Sequence, residues 1–197
     1  MTENDTLYLA SGSPRRRELL TQLGLHFERI HADIDESVLP GEAARAYAER
    51  LARAKADAGW AVVERSGLPQ RALLAADTTV VQDGEIFGKP ADAADARRML
   101  LAFSGRTHQV ITAVAVRRGD QVALTTSVTD VTFRALGEDD IQRYLDSGEA
   151  ADKAGAYGIQ GLAAVFVEHI AGSFTGVVGL PLFETAALLS QFGFVFP

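Results

Sequence analysis

Five short segments of the chain carry residue types that chemistry needs. The first is Ser11-Gly12-Ser13-Pro14-Arg15-Arg16-Arg17. Small residues at a turn expose backbone N–H groups, and a helix starting at Pro14 adds its positive dipole end. Cations in a first helical turn are each unfavourable by ~0.3–1 kcal/mol. A local cost of this kind points to function, here an anion trap suited to phosphates. Helical spacing sets Arg15 and Arg16 one turn before Leu19 and Leu20, toward the protein, and Arg17 one turn before Thr21, toward solvent.

The second segment is Asp33-Ile34-Asp35-Glu36, whose carboxylates at a strand end can coordinate a hard divalent cation. A solvated acidic loop is the competing reading. The third is Asp77, which interrupts the apolar run Ala72–Val81 and so suits a metal ligand or general base; a turn-capping aspartate is the alternative. The fourth is Gly88-Lys89-Pro90, a lysine held between a permissive and a rigid residue. The fifth is Asp152–Gly161, a glycine-rich stretch with one lysine, Lys153, and one amide, Gln160. Of 19 basic residues only Lys55, Lys89 and Lys153 are lysines, which suggests sites where a compact ammonium is needed. His26, His31, His108 and His169 form no metal-spaced cluster and read as structural or surface groups. Nothing matches a Walker A loop, a G-x-G-x-x-G turn, G-x-S-x-G or H-E-x-x-H.

These segments need a scaffold. Thr6–Ala10 and Phe27–His31 read as strands around a helix at Pro14–Gln22 capped by Ser13. A helix at Ala43–Ala58 carries Tyr47 and Lys55 on one side. Ala72–Val81 reads as a buried strand, and Asp83-Gly84 turns it back through Ile86 and Phe87. A helix from Asp92 to Phe103, long strands at Thr107–Arg117 and Val122–Phe133, a short helix at Asp139–Ser147, a strand at Leu162–Glu168 and a closing helix at Leu182–Phe192 complete the chain. Early alternation with a late hairpin of long strands predicts an α/β fold with a mixed sheet. The 197 residues are 47% hydrophobic and 23% charged, so disorder is excluded and one domain over residues 1–197 is expected. Cysteine is absent, which removes thiolate catalysis and cysteine-bound zinc. The acidic, polar Met1–Asp5 is unlike a signal peptide, and no apolar run is of membrane-spanning length. A cytoplasmic location is expected. Net charge is −7, which disfavours nucleic acid and membrane as partners and requires local cations for any polyanionic ligand. Together the residues suit metal-assisted hydrolysis of a nucleoside polyphosphate.

The same segments resemble the Maf-like nucleoside triphosphate pyrophosphatases. The resemblance runs through Leu9–Leu20, Asp35-Glu36, Ala54-Lys55-Ala56, Ala76-Asp77-Thr78, Gly88-Lys89-Pro90, Ser104–His108, Asp152–Gly155 and Val177–Leu182, in family order. It implies an elongated central mixed sheet flanked by helices, as in the inosine triphosphate pyrophosphatase-like fold, with two lobes around a cleft. It implies cleavage between the α- and β-phosphates with a divalent metal, Mg²⁺ or Mn²⁺. Tyr157–Gly161 is similar to the subgroup acting on dTTP and UTP. The family's proton acceptor falls on Asp77 and its specificity positions on Arg15, Thr78 and Gln160. Phosphate and metal roles fall on Ser13, Arg16, Glu36, Lys55 and Lys89, with Glu36 and Asp77 as the metal pair. A homodimer is compatible with the family. The resemblance also implies a link to cell-division arrest, and a nucleotide-sensing regulator of septum formation that binds without turnover is the alternative activity.

Overall fold

A computed structural model describes residues 6–196. The Met1–Asp5 stretch lies outside the described residues. The strands β1 (Thr6–Leu9), β2 (His26–Arg29), β3 (Leu73–Gln82), β4 (Glu85–Phe87), β5 (Thr107–Arg118), β6 (Gln121–Phe133) and β7 (Val167–Ala171) form one sheet. Its order is β2-β1-β3-β5-β6-β7, with β4 attached to β3. β1 runs parallel to β2 and β3, and all later pairings are antiparallel. The sheet is thus mixed, as the alternation pattern predicts.

One irregularity in this sheet makes room for a site. Along one edge β3 pairs with β5 from Leu73 to Val81. Along the other edge it meets β1 only at Leu73 and Leu74, and β4 only at Val80 to Gln82. Between them Ala75 to Thr79 have no strand neighbour on that side. Asp77 lies in the middle of this opening. The β3–β4 turn is the tight one expected, with Asp83 at φ 51° and Gly84 at φ 83°.

Alternation along β3 feeds two cores. Leu73 and Ala75 face the helix α2 (Ala44–Arg65) with its Ala48, Ala52, Ala56, Trp60 and Val63. Gly59 lets that helix lie close, because a Cβ there would stand 2.9 Å from both Ala10 and Leu73. Leu74, Ala76 and Val80 face the larger core, shared with α1 (Pro14–Gln22), α3 (Ala93–Phe103), α4 (Glu138–Asp146), α5 (Phe174–Val178) and α6 (Leu182–Ser190). Asp77 and Thr79 therefore belong to the α2 face and Thr78 to the other.

Helix α5 has no counterpart in the sequence reading, and two further elements differ from it. Helix α2 runs on to Arg65 rather than stopping near Ala58, because Trp60 and Val63 continue its buried stripe past Gly59. The strand expected at Leu162–Glu168 is a 3₁₀ turn at Leu162–Phe166 followed by β7. Ala163 and Phe166 are its buried residues, a spacing of three that fits a turn and not an alternating strand.

Candidate active site

Beside the open stretch of β3 is a cleft of about 990 Å³. Ser13, Arg15, Arg16, Glu36, Lys55, Asp77, Thr78, Lys89 and Gln160 all line it. The sequence therefore names residues from six segments that the fold gathers in one place. Arg17 and Asp35 are not among the lining residues. Arg17 lies off the cleft, as helical geometry requires. Of the acidic segment, Asp33 and Glu36 line the cleft, whereas Asp35 turns away: its Oδ1 accepts from the Ser37 amide at 2.9 Å and closes a local turn. That contact holds its carboxyl below the usual range.

At the floor, Lys55 Nζ lies 2.7 Å from Asp77 Oδ1 and 2.8 Å from Glu36 Oε1. Lys55 comes from the middle of α2, so its position is fixed by the packed helix. Asp77 is 7% exposed, and its second oxygen accepts from Thr79 Oγ1 at 3.2 Å. Two carboxylates meeting on one ammonium hold their oxygens within a few ångströms of each other. Among the described residues no group of three or more acidic or histidine side chains has metal-site spacing. A pair still suits Mg²⁺ or Mn²⁺, because Mg²⁺ commonly takes one or two carboxylates and completes its shell with water and substrate phosphate.

Arg16 has a different setting from the one expected. Its buried guanidinium donates from Nε to Gly179 O at 2.8 Å, from Nη1 to Ser11 Oγ at 3.1 Å and from Nη2 to Thr78 Oγ1 at 3.0 Å. Three of its five N–H donors are spent on the protein. Burial pulls its pKa down, and the negative charge of Asp77 opposes that pull. Thr78 Oγ1 also bonds Thr112 Oγ1 at 3.0 Å, and Thr112 donates to Gly176 O at 2.8 Å. Arg16 thus ties the first turn of α1 to β3 and to the α5 segment, a bracing role more than a phosphate grip. Ser13 Oγ accepts from the Arg16 amide, as the N-cap reading expects.

Arg15 and Lys89 contrast with Arg16. Among the described residues neither has an ion-pair or hydrogen-bond partner. Both cations face the cleft, and Arg15 lies near enough to Asp152 for its charge to help lower that carboxyl's pKa. Lys89 is positioned by its loop, where Gly88 O accepts from the Gly155 amide at 3.0 Å. Gly155 sits at φ +70° against Val80, 3.0 Å from where a Cβ would stand. That contact docks the glycine-rich segment onto the β3–β4 hairpin, and Gln160 extends from it, exposed, at the cleft.

Three contributors lie within or beside the segments the sequence singles out but have no individual role assigned there. Thr79 could have been found, since it lies two residues from Asp77 on the same strand face. Tyr47 also carried a signal, two helical turns before Lys55. Its hydroxyl donates to Glu36 O at 2.9 Å and so fixes the Glu36 loop; burial, then Asp77 and Glu36, push its pKa up. Ser11, which accepts from both Arg16 and the Ser13 amide, looks in sequence like any turn serine.

Residues 6–192 match the model of a family described as Maf-like protein. The chain is similar to a dTTP/UTP pyrophosphatase of Chromobacterium violaceum, 71% identical with all of both chains covered. It is also similar to a dTTP/UTP pyrophosphatase of Aromatoleum aromaticum, 52% identical over 95% of this chain and 96% of that one. Among solved structures it is similar to the Ham1 protein of Staphylococcus aureus, at 12% identity and a TM-score of 0.41 over 65% of this chain and 71% of that one.

Proposed function

The chain belongs to the Maf-like protein family, and from that premise we propose that it hydrolyses dTTP and UTP to the monophosphate and pyrophosphate. The observation that carries this reading is the floor of the cleft. A carboxylate from the open edge of β3 and one from the Glu36 loop share a lysine from α2, beneath the cations Arg15 and Lys89.

Each residue has a defined task in this reading. Arg15 and Lys89 neutralise the triphosphate and favour departure of pyrophosphate. Ser13 and the backbone of the Gly12 turn face the same phosphates at the start of α1. Glu36 and Asp77 would hold Mg²⁺ or Mn²⁺, which when bound supplies charge stabilisation on the phosphates. Asp77 accepts a proton from the attacking water at a carboxylate oxygen, and Thr79 and Lys55 fix that carboxylate's rotamer. Lys55 keeps Asp77 and Glu36 together before substrate arrives. Gln160 offers a donor and an acceptor to the N3–H and O4 edge of uracil or thymine. Arg16 acts indirectly, by holding Thr78 and the α1 turn in place.

The test is a nucleotide panel of dTTP, UTP, CTP, ATP and GTP with Mg²⁺ or Mn²⁺, products being separated by chromatography. UMP or dTMP with pyrophosphate is expected, with weak cleavage of the others. UDP and orthophosphate as the initial products would overturn the reading.

A further inference from the structure

We propose that Glu149 and Tyr144 are positioning residues that clamp the turn carrying Gln160 and so set nucleobase selectivity. The inference rests on the reading of Gln160 given above and goes one step behind it. Gln160 is exposed, so its own side chain has no packing to fix its direction. The direction must come from its backbone.

That backbone is a tight turn closed by the Gly161 amide on Gly158 O at 3.0 Å. Both ends of the turn are tied to one pair of side chains. The Gly158 amide donates to Tyr144 Oη at 3.2 Å. The Tyr144 hydroxyl in turn donates to Glu149 Oε1 at 3.0 Å. The other oxygen, Glu149 Oε2, accepts from the Leu162 amide at 2.9 Å. A single carboxylate therefore joins the entry and exit of the segment Gly158–Leu162, one end directly and the other through a phenol.

The two glycines make this closeness possible. A Cβ on Gly161 would overlap the Glu149 carboxylate, and a Cβ on Gly158 would lie 2.7 Å from Lys153 Cε. Neither glycine needs a positive φ here. They are small because the carboxylate and the lysine stem lie directly against the main chain. Lys153 is held in turn, its Nζ donating to Glu149 O at 2.7 Å and Asp152 Oδ1 at 2.6 Å. Tyr144 comes from helix α4 and its ring is buried in the larger core, so the clamp stands on the core rather than on the loop it restrains.

The variants are Glu149→Gln, which leaves only one acceptor oxygen for two donors, and Tyr144→Phe, which keeps the ring and removes the relay. Hydrogen exchange of the substrate-free protein is measured first. Faster exchange confined to the peptide spanning residues 158–162 is expected in both variants, and unchanged exchange there overturns the clamp. Steady-state kinetics on UTP and CTP follow. A fall of about tenfold in the UTP-to-CTP ratio of kcat/KM is expected, through KM on UTP with kcat held within about threefold. Loss of folded enzyme alone would lower both substrates alike, so an unchanged ratio overturns the positioning role. In a Gln160→Ala background Glu149→Gln should leave the ratio where Gln160→Ala put it; a further independent fall overturns action through Gln160. A wild-type enzyme that already cleaves CTP as well as UTP overturns the substrate reading and this selectivity role with it, and is recognised before any variant is made.

Discussion

Replacing Asp77 by asparagine separates chemistry from architecture, because the surroundings of this side chain suit either residue. The amide is nearly isosteric with the carboxylate. Its oxygen can still accept from Lys55 Nζ, now at 2.7 Å from Oδ1. Its NH₂ can donate to Thr79 Oγ1, which presently donates to Oδ2 at 3.2 Å and needs only to rotate its hydroxyl. Lys55 keeps Glu36 as a counter-ion, so no buried charge is stranded. Stability should therefore change by no more than about 1 kcal/mol, which for a chain of this size is a Tm shift of about 2–4 °C. The amide cannot accept the proton of the attacking water. Loss of a general base costs about 10²–10⁴-fold, or about 3–5 kcal/mol in the barrier. The assay is pyrophosphate release from UTP, coupled to an inorganic pyrophosphatase, beside a thermal melt of the same preparation. Lys55→Met is the contrasting control. It leaves Asp77, 7% exposed, without its cation and next to a second carboxylate. An unpaired buried charge costs about 3–5 kcal/mol, so this variant should lose about 6 °C or more of Tm together with its activity. A folded Asp77→Asn enzyme that keeps kcat within tenfold of wild type would refute the assignment of the base.

Arg15→Ala should lower kcat/KM by roughly 10- to 150-fold, the worth of a charge-assisted contact of ~1.5–3 kcal/mol. Arg17→Ala, off the cleft, should change it little; equal losses in steady-state kinetics would contradict the helix geometry. Gln160→Ala should flatten the preference for UTP over CTP more than it lowers the best rate, as read from kcat/KM ratios across the nucleotide panel. Burial pulls the His108 imidazole from 6.5 down to about 4, so the unfolded chain takes up this proton at a higher pH than the folded one. The stability His108 contributes is complete above about pH 6.5 and is lost as pH falls toward 4, a change of about 3 kcal/mol. Urea denaturation of His108→Phe between those pH values should show a shallower loss than wild type, and an identical slope would count against a neutral buried imidazole.

Much of the site was legible because its residues sit where local rules are strong. Ser13 and Pro14 follow helix-capping chemistry, the Asp83-Gly84 turn follows hairpin chemistry, and Asp77 stands out as a charge in an apolar run. The partners of these groups were harder to read. The contacts of Arg16 with Thr78 and Gly179 span 62 and 163 residues of sequence, and nothing local distinguishes it from Arg15. Three consecutive arginines have one composition and three settings: one faces the cleft, one is buried as a brace, and one lies off the cleft. Helical phase separates Arg17 from the others, but only the tertiary neighbours separate Arg15 from Arg16. The strand misplaced at Leu162–Glu168 has a similar origin. Its run of apolar types reads as a strand in sequence, but only Ala163 and Phe166 are buried, and the Glu149 carboxylate that accepts from the Leu162 amide lies 13 residues away.

The scarcity of lysine has a physical basis at two of its three positions. Lys55 Nζ serves two carboxylates that approach from different segments, β3 and the Glu36 loop. A tetrahedral ammonium can be the common vertex of such a pair, whereas the planar fork of a guanidinium spreads its donors over a wider front and would force the carboxylates apart. Lys153 lays its stem against Gly158 and turns Nζ back to Glu149 O and Asp152 Oδ1. A bulkier head would meet the same main chain. Lys89 has no such constraint, since it is exposed and without a partner among the described residues; nothing in its surroundings explains lysine over arginine. The compact ammonium is thus used where it organises other site groups. The one lysine open to a phosphate is the one whose type the geometry leaves undetermined, so Lys89→Arg should be tolerated in kcat/KM far better than Lys55→Arg.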